Sequence, residues 1–336
     1  MKKFQLHRMQ KGLSVVIPNY NGLHLFADTL PTVFAALAQL DLPSEIIVVD
    51  DCSTDASIEF LRKNYPTINL LRNEKNRGFS VTANKGVNAA AYDLVLLLNS
   101  DVKLEADYFK GQLQFFERED TFGVMGCIRG WDDEKVQDGA KYPYFHGVKI
   151  KTSGNYLLEN DAEMSGGLYS MYLSGANALI AKEKFLQLGG FNELFSPFYV
   201  EDFELSLRAW RMGWKCYFHY PSVCRHKTST TISSTRKSSF VDVIYNRNKF
   251  YLHAIHLDQA KRLLWMLQLI PESIMKLFLL KWDYFRSVFL FISTYQKVVN
   301  SRNTLFKQAG NQKLLSLNEV VNQVRESINN KTIIRF

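Results

Sequence analysis

The sequence has few cysteines and no long apolar run, and both shortages exclude classes of protein. The four cysteines form no CxxC pair and no zinc-ligand spacing: Cys52, Cys127, Cys216 and Cys224. This pattern excludes a disulfide scaffold and favours a reducing compartment. No apolar stretch reaches the roughly 18 residues that a transmembrane helix needs. Met1-Lys2-Lys3 opens like a secretory signal, but the apolar run Leu13–Ile17 is too short to complete one. We therefore expect a cytoplasmic protein.

Two nucleotide-binding signatures are also missing. No GxGxxG motif follows the first apolar run, which argues against a dinucleotide-dependent dehydrogenase. The segment at that position, Pro18-Asn19-Tyr20-Asn21-Gly22, is neither glycine-rich nor basic. It therefore does not supply the phosphate loop that a nucleotidyltransferase would need.

Positive charge is concentrated in the C-terminal third. Sixteen Lys and Arg stand against six Asp and Glu from Ser233 to the end, whereas residues 1–232 contain 25 against 27. Such asymmetry suggests an anionic partner for the basic part. Because that part has no recognised nucleic-acid motif and is rich in apolar residues, we expect no nucleic-acid partner. We predict a catalytic domain over 1–232 and a basic helical extension over 233–336.

Short apolar runs alternate with helical patterns through the first hundred residues. The runs predict strands at Leu13–Ile17, Glu45–Val49, Ile68–Leu71 and Leu94–Leu98. The segments between them predict helices at Leu23–Leu40, from Ser53-Thr54-Asp55 to about Asn64, and at Phe79–Ala91. This alternation predicts an α/β fold in which helices cover both faces of a mostly parallel sheet.

Later segments carry weaker signals. We predict helices at Asp107–Arg118, Lys182–Leu188 and Glu201–Met212, strands at Phe122–Ile128 and Trp214–His219, and renewed order over Leu173–Ala181. Arg129–Gly167 is rich in Gly, Asp and Tyr and predicts an irregular insertion, and Arg225–Arg236 predicts a basic loop. From Phe240 onward the pattern is helical, with no strand signal.

Carboxylates occur where predicted strands or loops end. Asp50-Asp51 and Asn99-Ser100-Asp101 each follow an apolar run, and Glu201-Asp202 opens a predicted helix. Because the carboxyl ends of parallel strands meet at one edge of a sheet, we expect the first two groups to share a crevice. The simpler interpretation of each group is a polar turn or a helix cap.

These carboxylates belong to an ordered set of motifs: Ser14-Val15-Val16-Ile17-Pro18-Asn19-Tyr20-Asn21, Val49-Asp50-Asp51-Cys52-Ser53-Thr54-Asp55, Leu98-Asn99-Ser100-Asp101, Leu173-Ser174-Gly175-Ala176-Asn177-Ala178, Gly189-Gly190-Phe191-Asn192-Glu193 and Phe198-Tyr199-Val200-Glu201-Asp202. With these motifs, from about residue 13 to residue 228, the chain resembles glycosyltransferase family 2, of the GT-A fold. In detail the chain resembles the bacterial surface-polysaccharide branch, including rhamnosyl- and galactofuranosyl-transferase-like members.

The resemblance implies an inverting transfer of a sugar from a nucleotide diphosphate to a hydroxyl of a glycan or lipid-linked acceptor. Asp101 matches the last acid of the family's DxD motif, which binds metal and diphosphate, while Asn99 replaces its first acid. His226 matches a late histidine that can complete the metal shell. The resemblance thus implies Mn²⁺ or Mg²⁺, and a histidine ligand favours Mn²⁺.

The resemblance also assigns the remaining site residues. Asp202 matches the general base and Glu201 a neighbour that orients the acceptor, with Glu204 as a weaker alternative base. The acceptor side falls on Ser174, Gly175 and Ala176. The donor nucleotide falls on Pro18, Tyr20, Asp50, Asn84, Lys85, Asn99 and Ser100. Ala83 stands where many relatives carry Arg, which leaves uridine and thymidine diphosphate donors both open.

The helical extension carries an apolar stripe. Ile274, Phe278, Trp282, Phe285, Phe289 and Ile292 recur at three- and four-residue intervals, with basic residues nearby. The stripe fits either a helix packed on the catalytic domain or a peripheral helix on an anionic membrane surface. The chain could also be a non-catalytic nucleotide-sugar binder or membrane scaffold, because Asn99 weakens the metal motif.

Overall fold

A large mixed sheet forms the centre of the protein. The computed structural model describes residues 10–227 and 238–336. The strands are β1 (Gln10–Asn19), β2 (Ser44–Asp50), β3 (Asn69–Arg72), β4 (Tyr92–Leu98), β5 (Val102–Leu104), β6 (Thr121–Gly130), β7 (Val136–Asp138), β8 (Ala140–His146), β9 (Lys149–Leu158), β10 (Leu168–Tyr169), β11 (Asn177–Ala181), β12 (Lys215–His226) and β13 (Ile333–Arg335).

Helices cover the sheet and then form the C-terminal third. They are α1 (Leu23–Leu37), α2 (Ser57–Asn64), α3 (Phe79–Ala89), α4 (Asp161–Met164), α5 (Lys182–Gln187), α6 (Glu201–Arg211), α7 (Ser238–His256), α8 (Gln259–Phe278), α9 (Trp282–Ser293), α10 (Tyr295–Ala309) and α11 (Leu317–Glu326). Across the described residues, no helix is sufficiently long and apolar to span a bilayer.

The central sheet has the order β10-β12-β6-β11-β4-β1-β2-β3, with β5 and β7 paired to β12 and β6. Strand β1 pairs in parallel with β2 and β4, as the alternation of elements predicts. Strand β11 runs antiparallel to both β4 and β6, and β12 runs parallel to β6. Strands β4, β6 and β12 therefore share one direction, and their C-terminal ends lie on the same side as those of β1 and β2. We call this side the carboxyl edge, and Asn19, Asp50 and Asn99 lie on it.

The core lies on both faces of the sheet because successive residues of a strand point to opposite faces. In β1, Val16 packs into a cluster with Val87 of α3, whereas Val15 and Ile17 pack into a second cluster with Phe26 of α1. All five side chains are almost completely buried. The parallel strands are thus apolar on both faces, which explains their nearly uninterrupted apolar sequences.

One predicted helix is wrong. Asp107–Arg118 forms turns followed by a short 3₁₀ helix, Leu113–Glu117. Gly111, between them, has a φ of 83°, which an α-helix does not contain. A Cβ at this position would lie 2.9 Å from Cε1 of His219. Close packing against β12 therefore overrides the helical pattern.

The predicted irregular insertion is also wrong. Arg129–Gly167 contains β7, β8, β9 and α4, and strands β8 and β9 join β13 in a separate three-stranded antiparallel sheet. Strand β13 pairs Ile333 with Leu158 at the far end of the chain, which also corrects the expectation of helices alone after Phe240. Strands β8 and β9 form a hairpin, but the partner of β9 on its other side, β13, lies about 170 residues later and could not be inferred from local periodicity. In the predicted basic loop Arg225–Arg236, Arg225 and His226 instead belong to β12, because they pair with β5 and β6. The loop from 228 on and the predicted boundary between 232 and 233 lie outside the described residues.

The contact between α3 and the sheet depends on Gly86. A Cβ there would lie 2.3 Å from Cγ1 of Val16 and 3.0 Å from Cγ2 of Val49. We predict that Gly86→Ala lowers the free energy of unfolding by about 1–2 kcal/mol, because overpacking outweighs the gain in helix propensity. Gly166→Ala is the control, since a Cβ there meets nothing within 4 Å. Urea unfolding measures both variants, and equal stability of the two would contradict this account of the contact.

Candidate active site

Two adjacent carboxylates organise the carboxyl edge at the end of β2. Asp50 is fully buried, and its Oδ2 and Oδ1 accept hydrogen bonds from Nδ2 of Asn19 (3.1 Å) and the backbone N–H of Ser53 (2.9 Å). Asp51 accepts from the backbone N–H groups of Arg77 and Gly78, both at 2.8 Å. Asp50 therefore fixes the ends of β1 and β2, and Asp51 fixes the loop that leads into α3.

The other residues assigned to the nucleotide divide into two groups. Pro18 and Tyr20 are half-buried at the end of β1. Ser100, just after β4, lies close to Gly22 in the turn that follows β1, because a Cβ on Gly22 would be 3.3 Å from Oγ of Ser100. Asn84 instead exchanges hydrogen bonds with the backbone of Phe191, and Lys85 donates from Nζ to the carbonyl of Arg72 (2.5 Å). The structure thus brings Pro18, Tyr20, Asp50 and Ser100 to the carboxyl edge and places Asn84 and Lys85 along α3.

Asp101 and His226 lie side by side at this edge. Strand β5 pairs with the end of β12, so that Val102 is opposite His226. His226 Nε2 lies 3.3 Å from Oδ1 of Asp101, and the backbone N–H of Lys227 donates to the Asp101 carbonyl (3.1 Å). Oδ1 of Asp101 is buried and has no hydrogen bond within residues 10–227 and 238–336. A carboxylate oxygen and an imidazole nitrogen are both ligand types that divalent cations take in proteins, so these two side chains could contribute to a cation site.

The segment Ser174–Ala176 lies between the carboxyl edge and the start of α6. The carbonyl of Ala176 accepts a hydrogen bond from the backbone N–H of Asn99 (3.0 Å). A Cβ on Gly175 would lie 3.3 Å from Phe79 and 3.9 Å from Cβ of Asp202. Phe79 follows Gly78, whose backbone N–H donates a hydrogen bond to Asp51. This small segment therefore connects the carboxyl edge to the start of α6.

Asp202 lies in the first turn of α6, and the backbone of the two residues before this helix is strained. Tyr199 and Val200 have φ values of 74° and 72°, in the left-handed region that a β-branched residue rarely adopts. The buried Asn248 of α7 holds this loop, because its Nδ2 donates to the carbonyls of Phe198 (3.0 Å) and Tyr199 (2.8 Å). Asn248 thus positions the start of α6, a role that no sequence motif indicated.

Burial raises the pKa of both acids that open α6. Burial raises the pKa of Asp202, while nearby backbone N–H groups and the ammonium of Lys141 partly offset the effect. Burial and the charge of Asp202 raise the pKa of Glu201. Lys141, on β8, is itself buried, and burial lowers its pKa to about 7. Because Lys141 belongs to the sheet that we predicted as an irregular insertion, sequence analysis missed it.

Glu204 has a different environment. It is fully buried, and its carboxylate forms an ion pair with Nη2 of Arg208 (2.8 Å) and lies 3.4 Å from Nε2 of His256. Burial opposes its charge, but Arg208 and His256 outweigh burial and lower its pKa. Glu204 thus joins α6 to α7 within the core, which leaves Asp202 as the better-placed carboxylate for chemistry.

A cavity of about 1120 Å³ opens beside Asp202. Its walls come from β9, from the start of α6 and from helices α7, α8 and α9. Tyr172, Tyr199 and Phe203 line it near Asp202. The structure therefore brings Asp202 to a large space formed by the second sheet and the C-terminal helices. Within the described residues, no cluster of three or more His, Cys, Asp or Glu is arranged to hold a metal by itself.

Comparison with solved structures defines the class of fold. The chain superposes on a mannosyltransferase from Pyrobaculum calidifontis, solved with GDP-Man and Mn²⁺, with a TM-score of 0.52 at 15% identity, covering 90% of this chain and 87% of the other. It superposes on S. aureus TarS 1-349, solved with UDP-GlcNAc, with a TM-score of 0.51 at 18% identity, covering 75% and 69%. The protein therefore has the GT-A fold, as predicted.

The family follows from sequence. The family model described as "Glycosyl transferase family 2" matches residues 14–186, and the chain belongs to that family. The putative teichuronic acid biosynthesis glycosyltransferase TuaG of Bacillus subtilis is 27% identical over 226 residues, 63% of this chain and 88% of TuaG. The succinoglycan biosynthesis protein ExoO of Rhizobium meliloti is 26% identical over 252 residues, 73% of this chain and 69% of ExoO. These relatives confirm the predicted resemblance to the bacterial polysaccharide branch.

Proposed function

We propose that the protein transfers a sugar, with inversion, from a uridine or thymidine diphosphate donor to an acceptor hydroxyl in the biosynthesis of a cell-surface polysaccharide. The observation that carries the proposal is the continuous contact from Asn99 through Ala176 and Gly175 to Asp202. It sets the pair Asp101–His226 on one side of a small-residue segment and a carboxylate beside a cavity on the other. The names and bound ligands of the relatives support the same class of reaction.

The reaction needs a base on the acceptor side. We assign that role to Asp202, whose carboxylate would take the proton as the acceptor oxygen bonds to the anomeric carbon. The bond between that carbon and the diphosphate breaks, and its electron pair leaves with the diphosphate. Attack from the face opposite the leaving group inverts the anomeric centre. Lys141 stabilises the ionised form of Asp202, while Glu201, with its raised pKa, would orient the acceptor.

The residues at the carboxyl edge fit a divalent cation. Oδ1 of Asp101 and Nε2 of His226, which lie 3.3 Å apart, would hold it, together with diphosphate oxygens, while Asn99 and Ser100 would bind the donor by hydrogen bonds. When bound, the cation neutralises charge on the departing diphosphate. The imidazole favours Mn²⁺ over Mg²⁺, and Mn²⁺ is present in the mannosyltransferase structure. Pro18 and Tyr20 would contact the nucleoside, and the buried Asp50 would hold the strand ends that carry them. Asn84 and Lys85 would support that side through α3.

We also propose that the protein is cytoplasmic and binds the inner face of the membrane peripherally. Residues on α8, α9 and the turn between them expose large apolar side chains, among them Leu267, Ile270, Phe278, Leu280, Trp282 and Phe289. Phe278 is 83% exposed and Phe289 70%. Lys276, Lys281 and Arg286 lie on the same two helices and their connecting turn, so charge complementarity favours an anionic lipid surface.

The base assignment predicts a selective loss of turnover. Asp202→Asn keeps the shape of the side chain but cannot accept the proton, so we expect transfer to fall at least about a hundredfold while donor binding stays within about twofold. Product formation and calorimetric titration with the nucleotide diphosphate measure the two effects. Asp41→Asn, on an exposed turn, should behave like the wild type. Normal turnover in the Asp202 variant would refute the assignment.

The cation assignment predicts loss of transfer on treatment with a chelator and recovery on addition of Mn²⁺. Asp101→Ala should raise the Mn²⁺ concentration needed for half-maximal activity at least about tenfold, because it removes a carboxylate ligand. Asp107→Ala, which is exposed and follows β5, should leave that concentration unchanged. Transfer that persists in the chelator would show that Asp101 has a different role.

The membrane proposal predicts co-sedimentation with phosphatidylglycerol vesicles and weaker binding to phosphatidylcholine. Phe278→Ser with Phe289→Ser should reduce binding at least about tenfold, because burying an aromatic side chain is worth about 1.5–3 kcal/mol. Leu186→Ser, which changes an exposed apolar residue of α5, is the control. Equal vesicle binding by the Phe278/Phe289 double variant and the Leu186 control, or no binding by the wild type, would contradict the proposal.

A further inference from the structure

Lys141 belongs to a buried polar cluster on the three-stranded sheet. Its Nζ forms an ion pair with the carboxylate of Asp138 on β7 and donates a hydrogen bond to Oδ1 of Asn155 on β9 (2.6 Å). The amide Nδ2 of Asn155 donates to the backbone carbonyl of Gln137 (3.1 Å), which turns the Oδ1 of Asn155 toward Lys141. Two acceptors from different strands therefore hold the ammonium group of Lys141 in one place.

Two stacked aromatic rings connect this cluster to Asp202. Nζ of Lys141 lies 5.2 Å from the ring centroid of Tyr172, and the ring of Tyr172 stacks on that of Phe203 at a centroid distance of 5.1 Å. Phe203 follows Asp202, and all three residues of this pathway from Tyr172 onward line the same cavity. The charges of Lys141 and Asp202 act on each other, and burial leaves this interaction weakly screened.

Strand β13 fixes the backbone of Asn155. Lys141 and Asn155 are directly opposite each other in the β8–β9 pairing, so their side chains share a face, but the register shifts just beyond them. Gly154, at this irregular point, has a φ of 87°. Phe336, the residue after β13, exchanges two backbone hydrogen bonds with Asn155 (3.1 and 3.2 Å), and a Cβ on Gly154 would lie 2.9 Å from its carbonyl oxygen. Strand β13 thus supports the hairpin where it is least regular.

The charge of Lys141 depends on these partners. Burial lowers the pKa of Lys141 to about 7, so near neutral pH its protonation depends on the acceptors that bind its ammonium group. Helix α11 also packs against β8, but with buried valines. The other titratable groups that face this cluster, Asp202 or the cavity beside them are Lys151 on β9, Tyr172 after β10, Glu201 on α6, and Tyr245 and Lys249 on α7.

We propose that strand β13 is a positioning element of the active site, which acts through Asn155 and Lys141 to hold a positive charge beside Asp202. The inference rests on the proposed function and deepens it, because it names the residues that control the base. Lys141 and Asn155 are positioning residues, since they act through Asp202. The base on α6 is then set by a strand more than a hundred residues further along the chain.

The pH dependence of sugar transfer tests the role of Lys141. Lys141→Met removes the charge, so Asp202 should bind its proton more tightly and the acid limb of kcat should move up by about one pH unit. Lys141→Arg keeps the charge and should keep the limb of the wild type. Lys135→Met changes an exposed lysine between β6 and β7 and is the control. A lower rate at every pH with an unmoved acid limb in Lys141→Met would overturn the proposal.

Two further variants test the role of β13. Asn155→Ala and deletion of 333–336 should each move the acid limb in the same direction, by about half a pH unit, because the ammonium of Lys141 loses an acceptor or its alignment. Phe336→Ala, which keeps the backbone bonds to Asn155, and Asn329→Ala, on an exposed turn, should leave the limb unmoved. Melting temperatures show whether the deletion variant folds; if it does not, Asn155→Ala decides. A limb that moves only in Lys141→Met would contradict a role for β13.

A measurement without substrate separates this inference from the proposed function. Carbon-13 NMR of protein labelled at the aspartate carboxyl carbons follows protonation of Asp202, whose signal is identified by its loss in Asp202→Asn. We expect Asp202 to titrate at higher pH in Lys141→Met and Asn155→Ala than in the wild type. Equal midpoints would overturn the inference even if the protein transfers sugar. Shifted midpoints in a protein that transfers no sugar from UDP or dTDP donors would contradict the proposed function alone.

Discussion

The direction of strand β11 is the constraint on which the site depends. Because β11 runs antiparallel to β4, its first residue, Asn177, pairs with Leu98, the last residue of β4. The segment Ser174–Ala176 must therefore lie beside Asn99–Asp101. The same reasoning applies to β12, whose final residue, His226, pairs with Val102 just after Asp101. Residues 79 positions apart (Leu98 and Asn177) and 124 positions apart (Val102 and His226) are thus brought together by backbone pairing.

A second constraint connects the C-terminal helices to the start of α6. Asn248 of α7 binds the loop that places Tyr199 and Val200 in left-handed conformations, and His256 of α7 lies beside the buried pair of Glu204 and Arg208 in α6. Conformations of this kind cost on the order of 1–3 kcal/mol per residue and persist only when their surroundings hold them. Helix α7 therefore acts as a structural part of the site.

The same connection gives the cavity its composition. The β8–β9 hairpin contributes Lys141, which acts on Asp202, and the cavity residue Lys151, whereas α8 and α9 contribute the exposed apolar surface. Helix α8 and the turn before α9 also contribute the cavity residues Lys276 and Lys281, so basic and apolar side chains lie on the same elements in this part of the chain.

Sequence analysis located the parts of the site that local pattern determines. An apolar run that stops at Asp50 or Asn99 indicates the end of a buried parallel strand, and such ends meet at one edge. It missed Asn248 and Lys141, whose positions near the site depend on contacts between distant segments. It also missed β13, because a short strand acquires its structure only by pairing with β9. The helix predicted at Asp107–Arg118 failed because packing at Gly111 outweighed a local pattern.

The most direct test of the account is an anomalous-scattering map from crystals of the protein grown with Mn²⁺ and UDP or dTDP. The account predicts a manganese peak in contact with Asp101 Oδ1 and His226 Nε2, with the diphosphate on the side of the cation that faces Gly175 and Asp202. A nucleotide bound away from the carboxyl edge, or a manganese peak that contacts neither residue, would contradict it.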